Sequence, residues 1–330
     1  MALGTGTYVG TMLAATVARF SPDAPLQGLE VTDRPEPAER EHWTTVEVRA
    51  ASLNHHDLWS LRGVGLREEQ LPMILGTDAA GVTPDGKEVV LHGVVGADGH
   101  GVGPHERRSL LSERYPGTLA ERVAVPTANL VPKPAELTFA EAACLPTAWL
   151  TAYRMLFGAA ALGPGDRVLV QGAGGGVATA VIVLGAAAGL EVTATSRDEA
   201  KRERALALGA AHAVAPGERL PDRVDAVVES VGQATWAHSV RAVRPGGVIV
   251  VCGATSGDAS PAELTRVYFS EIRVQGVTMG SREDLAALLR FCARTGVRPV
   301  IDSEVSLPDV GAGLARMAAG EQTGKIVVVP

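Results

Sequence analysis

The feature that most constrains this chain is a glycine run, Gly172-Ala173-Gly174-Gly175-Gly176, set between two apolar segments. Arg167–Gln171 (Arg-Val-Leu-Val-Gln) has the length and branched content of a buried strand, and Val177–Leu190 reads as a buried helix. A strand that turns through glycines into a helix lets the backbone approach an anion closely. The helix N-terminus adds free N–H groups and a partial positive charge. Ala178 is small enough for close helix–sheet packing. The pattern predicts a pyrophosphate-binding turn at Gly172, Ala173, Gly174, Gly175, Gly176 and Val177. A glycine-rich turn without a ligand is the competing reading; the strand–turn–helix context favours the first.

The same rhythm continues downstream. Glu191–Thr195 is a second strand, Asp198–Leu208 a helix closed by Gly209, and Asp225–Glu229 and Val248–Cys252 are further buried strands. Alternating strand and helix predicts an α/β fold, a doubly wound parallel sheet with helices on both faces. Upstream, from about Met12 to Ala135, the chain is strand-rich and irregular, with strands at Leu13–Phe20 and Thr44–Ala50. After Ser281 come a helix at Glu283–Thr295, another at Pro308–Ala319 and a last strand at Lys325–Val329. This tail is too small to fold alone. The expected domains are therefore 1–135, completed by 281–330, and 136–280, a natural division of 330 residues.

The second strand selects the dinucleotide. NAD-binding domains carry an acid about 20 positions after the glycine turn, which grips the ribose 2′-hydroxyl. Here the strand ends in Ser196-Arg197, with Lys201 one helical turn on and no acid at the tip. A serine hydroxyl and a guanidinium fork suit a 2′-phosphate, so NADP(H) is the expected cofactor. In the competing reading, Arg197 and Lys201 are a solvated helix start paired with Asp198 or Glu199.

Composition narrows the partners. A net charge of −7 argues against a general nucleic-acid binder. Cys144, Cys252 and Cys292 are far apart and form no CxxC pair, against both a disulfide framework and a cysteine-rich zinc site. A reducing cytoplasm fits them. No secretory leader is evident, and Val177–Leu190 is too short to span a bilayer.

Further segments carry a resemblance. They are Ala51-Ser52-Leu53-Asn54-His55-His56-Asp57-Leu58-Trp59, Pro72 to Gly81, Gly117 to Pro126, Asp225 to Gly232, and the closing Gly324-Lys325-Ile326-Val327-Val328. With the glycine turn they make the chain resemble the medium-chain dehydrogenase/reductase superfamily over nearly its whole length, and more narrowly its zinc-free quinone oxidoreductase and enoyl reductase branch. The resemblance implies a GroES-like β-rich catalytic domain, a Rossmann domain, and a cleft between them holding the nicotinamide. It also implies Ser230, Val231, Cys252, Gly253, Ala254, Thr278, Met279 and Lys325 around the cofactor. A homodimer joined through the edge strand near 273–279 is expected on the same ground.

Zinc-dependent members of that superfamily hold the metal with a Cys, a His and a further Cys or Asp. The corresponding positions here resemble Asn54, Thr77-Asp78 and Cys144, which do not make three ligands. No metal is expected. His92, His100 and His105 could be read as a metal cluster, but their spacing is irregular, and loop polar groups are the simpler reading. Without zinc, hydride addition to an activated C=C or a quinone is the expected reaction, with charge developing on an oxygen that hydrogen bonds stabilise. Asn54 is expected to orient substrate or nicotinamide through its amide, and His55, His56 or water to supply the proton. Thr151 either borders the nicotinamide or is an ordinary helix residue. Trp59 replaces a tyrosine of several relatives and is a pocket wall or core. Asp57 is expected to be a structural hydrogen-bond partner. Loops near Leu58–Gln70 and Val94–Arg107 are expected to shape the pocket for a small molecule. A zinc-independent ketone or alcohol dehydrogenase, and an NADPH-binding protein without turnover, remain as alternatives.

Overall fold

The computed structural model describes residues 10–96, 109–258 and 261–330. His100, His105 and most of the 94–107 loop lie outside them.

The glycine turn belongs to a six-stranded, wholly parallel sheet. Its order is His212–Val214, Glu191–Thr195, Arg167–Val170, Val224–Glu229, Val243–Val251 and Arg273–Gly276. Leu169, Val170, Val227, Val228, Ile249 and Val250 are wholly buried, as strands covered on both faces require. The winding direction reverses between Arg167–Val170 and Val224–Glu229. Beyond the carboxyl ends of those strands lies the crevice in which such sheets bind ligands. The helix Gly176–Ala187 follows the turn and packs on Glu191–Thr195. The helix Glu199–Ala207 starts where Asp198 accepts the Ala200 and Lys201 N–H groups, and stops before Gly209, at φ +105°. The outermost strand, Arg273–Gly276, is exposed at every residue.

The second layer is a mixed sheet built around the long strand Trp43–Ser52. It pairs with Asp78–Val82, Arg122–Pro126 and the last strand, Lys325–Val329. Ile301–Ser306 lies beyond Lys325–Val329. A three-stranded sheet of Thr11–Val17, Leu29–Pro35 and Met73–Ile74 packs beside it. Within 281–330, therefore, the strands join the sheet of the first half. The helix Arg282–Thr295 behaves differently. Its apolar stripe Leu285, Leu288, Leu289 and Cys292 is buried in the core that also holds Val168 and Val170, and it packs on Leu150–Tyr153.

Sequence periodicity does not reveal the helical run Phe139–Ala159, which contains Pro146 and two π-type segments, Leu145–Trp149 and Arg154–Ala159. Such widened turns recur at functional sites, and this one brings Thr147, Ala148 and Thr151 to the crevice. Among the described residues, no helix is long and apolar enough to cross a membrane.

Candidate active site

A cleft of about 470 Å³ lies between the two sheet systems. Asn54, His55, His56 and Thr151 border it on the side of the mixed sheet and the long helical run. Gly172, Gly175, Gly176 and Val177 form its floor. Ser230, Val231, Cys252, Gly253 and Ala254 line it at the strand ends, and Thr278, Met279 and Lys325 complete it. Five expected residues are not part of its lining. Ala173 is buried, and the Gly174 carbonyl accepts the Gly324 N–H at 2.9 Å. Ser196, Arg197 and Lys201 lie beyond the cleft, at the tip of the second strand.

The turn is held from below. Gly172 adopts φ +97° and donates its N–H to Thr195 Oγ1 at 3.0 Å, and Thr195 donates to Gln171 Oε1 at 3.0 Å. Gln171 Nε2 donates to Ser239 Oγ (3.0 Å), and Ser239 donates to Glu229 Oε2 (2.6 Å). Glu229 also accepts the Val231 and Gly232 N–H groups and the Thr235 hydroxyl. His238 donates from Nε2 to the Glu218 carbonyl, so its Nδ1 accepts from Gln171 Nε2. Every polar group of this buried chain has a partner, which fixes the loop rigidly. Sequence reading missed it; the signal was a glutamine and a glutamate ending otherwise apolar strands. The helix behind the turn has no side-chain cap, so its first N–H groups face the cleft free. A Cβ placed on Gly172 or Gly175 would meet nothing within 4 Å. The open cradle fits a pyrophosphate.

A second buried network sits across from the turn. Lys325 donates to the Leu53 carbonyl (2.6 Å), Asn54 Oδ1 (2.7 Å) and Asp78 Oδ2 (3.1 Å). Asn54 Nδ2 donates to Asp78 Oδ2 (2.8 Å) and Thr77 Oγ1 (3.2 Å), and Ser52 donates to Asp78 Oδ2 (2.8 Å). These bonds bear on two expectations. The Asn54 amide has both N–H bonds engaged inside the protein, so it has no donor left to orient a substrate. The three N–H bonds of Lys325 are likewise taken, so it shows the cleft only its alkyl stem, packed beside Gly176.

The same residues decide whether zinc fits. Asn54 is a neutral amide turned to Lys325, and Thr77 shares a 3.0 Å hydrogen bond with Thr147. Cys144 donates its thiol to the Ala140 carbonyl, and burial pushes that thiol up to about 12. An ammonium already neutralises Asp78, and a thiol held this way is no ready thiolate ligand. Among the described residues, no three His, Cys, Asp or Glu side chains form a group able to hold a metal. The donor set does not fit the metal.

The histidines divide as adjacent residues do. His55 opens the helix His55–Leu61, and its imidazole is exposed in the cleft. Desolvation, aided by the Lys325 and Arg62 charges, lowers its pKa. His56 turns to Glu113, with Nε2 and Oε1 3.1 Å apart. Burial opposes its charge, but Glu113, Asp57 and Asp78 outweigh burial and raise its pKa. Asp57 is structural, accepting the Asn54 and Gly76 N–H groups at 2.8 and 3.0 Å. Burial raises its pKa against those donors and His56. Trp59 lines the cleft, with the Arg62 guanidinium 5.1 Å from its ring centre. Thr151 lines it too, its hydroxyl donated to the Thr147 carbonyl at 2.7 Å. His92 is buried and donates to the Gly280 carbonyl at 2.9 Å, a structural tie between the two halves.

At the strand tip, Ser196 Oγ accepts the Asp198 N–H at 3.2 Å, and Arg202 donates to the Ser196 carbonyl at 2.8 Å. The Arg197 guanidinium has no hydrogen-bond or ion-pair partner among the described residues. Lys201 reaches the Gly320 carbonyl.

Comparison with known proteins agrees with this architecture. Residues 40–135 match the family described as alcohol dehydrogenase GroES-like domain, and residues 176–294 match that described as zinc-binding dehydrogenase. The chain is 32% identical to 2-methylene-furan-3-one reductase of Solanum lycopersicum, over 88% of this chain and 72% of that protein. It is 27% identical to crotonyl-CoA reductase of Streptomyces collinus, over 86% of this chain and 77% of that one. A solved NAD-dependent alcohol dehydrogenase superposes with a TM-score of 0.87 at 32% identity, covering 97% of this chain and all of that one. With its GroES-like sheet, its Rossmann sheet and relatives of this identity and coverage, the chain belongs to the medium-chain dehydrogenase/reductase superfamily of oxidoreductases.

Proposed function

We propose that the protein is a zinc-independent, NADPH-dependent reductase of activated C=C bonds, in enones or enoyl esters, or of quinones. The observation that carries this reading is the Lys325–Asp78–Asn54 network, which puts an internally hydrogen-bonded amide, ammonium and carboxylate where zinc-dependent relatives have metal ligands. A ketone has a carbonyl to be polarised at the reacting carbon itself. A conjugated acceptor takes the nucleophile at its β-carbon and moves the charge to a distant oxygen, where a hydrogen-bond donor suffices.

When bound, the reduced nicotinamide supplies the hydride. The free N–H groups behind Gly175 bind the pyrophosphate, and Ser196 and Arg197 hold the 2′-phosphate. Trp59, Leu110, Met279, Met317 and Ile326 give the cleft an apolar lining that restricts water. His55 is neutral near pH 7 because its pKa is lowered, and its imidazole N–H donates to the developing oxyanion. Its partner His56 is held away by Glu113. The cytoplasm is the compartment, and a homodimer through Arg273–Gly276 the assembly, that suit this reading.

The test uses protein stripped of metal by a chelator and measures NADPH oxidation with enones, enoyl thioesters, quinones and ketones. Oxidation by a conjugated acceptor without added zinc is expected. Turnover of ketones alone would overturn the reading in favour of a dehydrogenase, in line with the 32% identity to an alcohol dehydrogenase.

A further inference from the structure

Among the described residues, buried side-chain amides are satisfied, with one exception. Asn54 and Gln171 each use both ends of the side chain. Gln322 is only 6% exposed and lines the cleft, yet its Oε1 is buried without a partner. Among the described residues, its Nε2 donates to nothing either. Leaving a buried amide unpaired is costly, so such a group calls for an explanation.

Its backbone is held firmly. The turn 320–324 clamps the glycine loop: Gly324 donates to the Gly174 carbonyl at 2.9 Å, and Lys201 donates to the Gly320 carbonyl. Thr323 donates to Asp302 Oδ1 at 2.8 Å. The Gln322 carbonyl lies 3.2 Å from where a Cβ on Gly174 would sit. An uncommitted amide is thus fixed over the turn, opposite free N–H groups that attract an anion.

We propose that Gln322 is a cofactor-positioning residue: its Nε2 donates to the pyrophosphate of a dinucleotide on the glycine turn. This rests on the dinucleotide reading above and extends it. The pyrophosphate is held from both sides, by the Rossmann helix below and by the tail of the chain above.

The test compares the whole protein with Q322A and Q322E by calorimetric titration against NADPH, ADP-ribose and adenosine 2′-monophosphate, which lacks the pyrophosphate. Q322A is expected to weaken NADPH and ADP-ribose about five- to tenfold and to leave adenosine 2′-monophosphate unchanged. Q322E is expected to weaken the first two further, through repulsion. The melting temperature of ligand-free Q322A should equal or exceed that of the parent, because an unpaired amide is removed. A Q322A protein that binds ADP-ribose like the parent overturns the assignment of Gln322 while leaving the dinucleotide site intact. Equal weakening of all three ligands, or a lower ligand-free melting temperature, assigns Gln322 a structural role and also overturns it. Failure of the parent to bind NADPH overturns the dinucleotide reading and this proposal together.

Discussion

The ammonium of Lys325 stands 3.1 Å from the carboxylate of Asp78, with both side chains almost wholly buried at 2% and 0% exposure. Burying two charges is tolerable only when they are paired and hydrogen-bonded, and here Asn54 and Ser52 bond Asp78 Oδ2 and the Leu53 carbonyl bonds Lys325, while Asp78 Oδ1 has no partner among the described residues. Removing one partner leaves the other charge stranded. K325M is expected to lower unfolding free energy by about 3–5 kcal/mol, measured by urea titration followed by circular dichroism. The double variant K325M/D78N should recover a large part of that loss. If K325M kept the parental midpoint, the pair would not contribute to stability.

The His56–Glu113 contact makes stability depend on pH. The His56 pKa in the fold lies above its ordinary value, because Glu113 and the neighbouring aspartates outweigh the cost of burial. The folded protein therefore holds this proton more tightly than the unfolded chain. The contribution is complete below the unfolded value of about 6.5 and disappears as pH rises through the folded value. Thermal melts from pH 5.5 to 9 should show a loss of stability with rising pH that is absent from E113Q. The same slope in E113Q would assign it to another group.

On the NADPH reading, cofactor choice turns on Arg197, whose guanidinium has no partner among the described residues. R197A is expected to raise the Kd for NADPH about 10- to 100-fold, the worth of a charge-assisted bond, and to change that for NADH by less than about twofold. Fluorescence titration of both nucleotides measures it. Equal loss for both would return Arg197 to the role of a solvated helix start.

Fold and site were legible to different degrees, for physical reasons. The parallel sheet was readable because Arg167–Val170 and Val224–Glu229 are short branched runs and Gly209 punctuates its helix. The run Phe139–Ala159 was not, because Pro146 and π-type turns disturb the 3.6-residue period. The cleft residues announced themselves by type and motif, but not by hydrogen-bond partner. Asn54 and Lys325 are 271 positions apart, and their bond exists only because Lys325–Val329 pairs with Trp43–Ser52. Their apparent availability for a ligand in the sequence is removed by that pairing. Gln322, which carries no motif, gained its interest because its Oε1 has no partner among the described residues.

Assembly gives the last prediction. Arg273–Gly276 ends the six-stranded sheet with every residue exposed, and Val274 is 49% exposed. On the helix Leu264–Phe269 just before it, Leu264, Tyr268 and Phe269 are 69%, 62% and 75% exposed. An open strand edge flanked by large apolar side chains is a liability for a monomer, because it offers ladder hydrogen bonds and apolar area together. A second copy related by a two-fold axis would present the same edge antiparallel to the first, satisfying both. Sedimentation equilibrium at micromolar concentration should therefore give a dimer. V274P removes a backbone donor from the edge and bars continuous pairing, while the parallel neighbour Val243–Val251 still supports the strand from inside. V274P is expected to shift the equilibrium to monomer by at least about tenfold in Kd, the worth of a lost hydrogen bond on each copy. A parent protein that sediments as a monomer, or a V274P dimer as tight as the parent, would place the contact elsewhere.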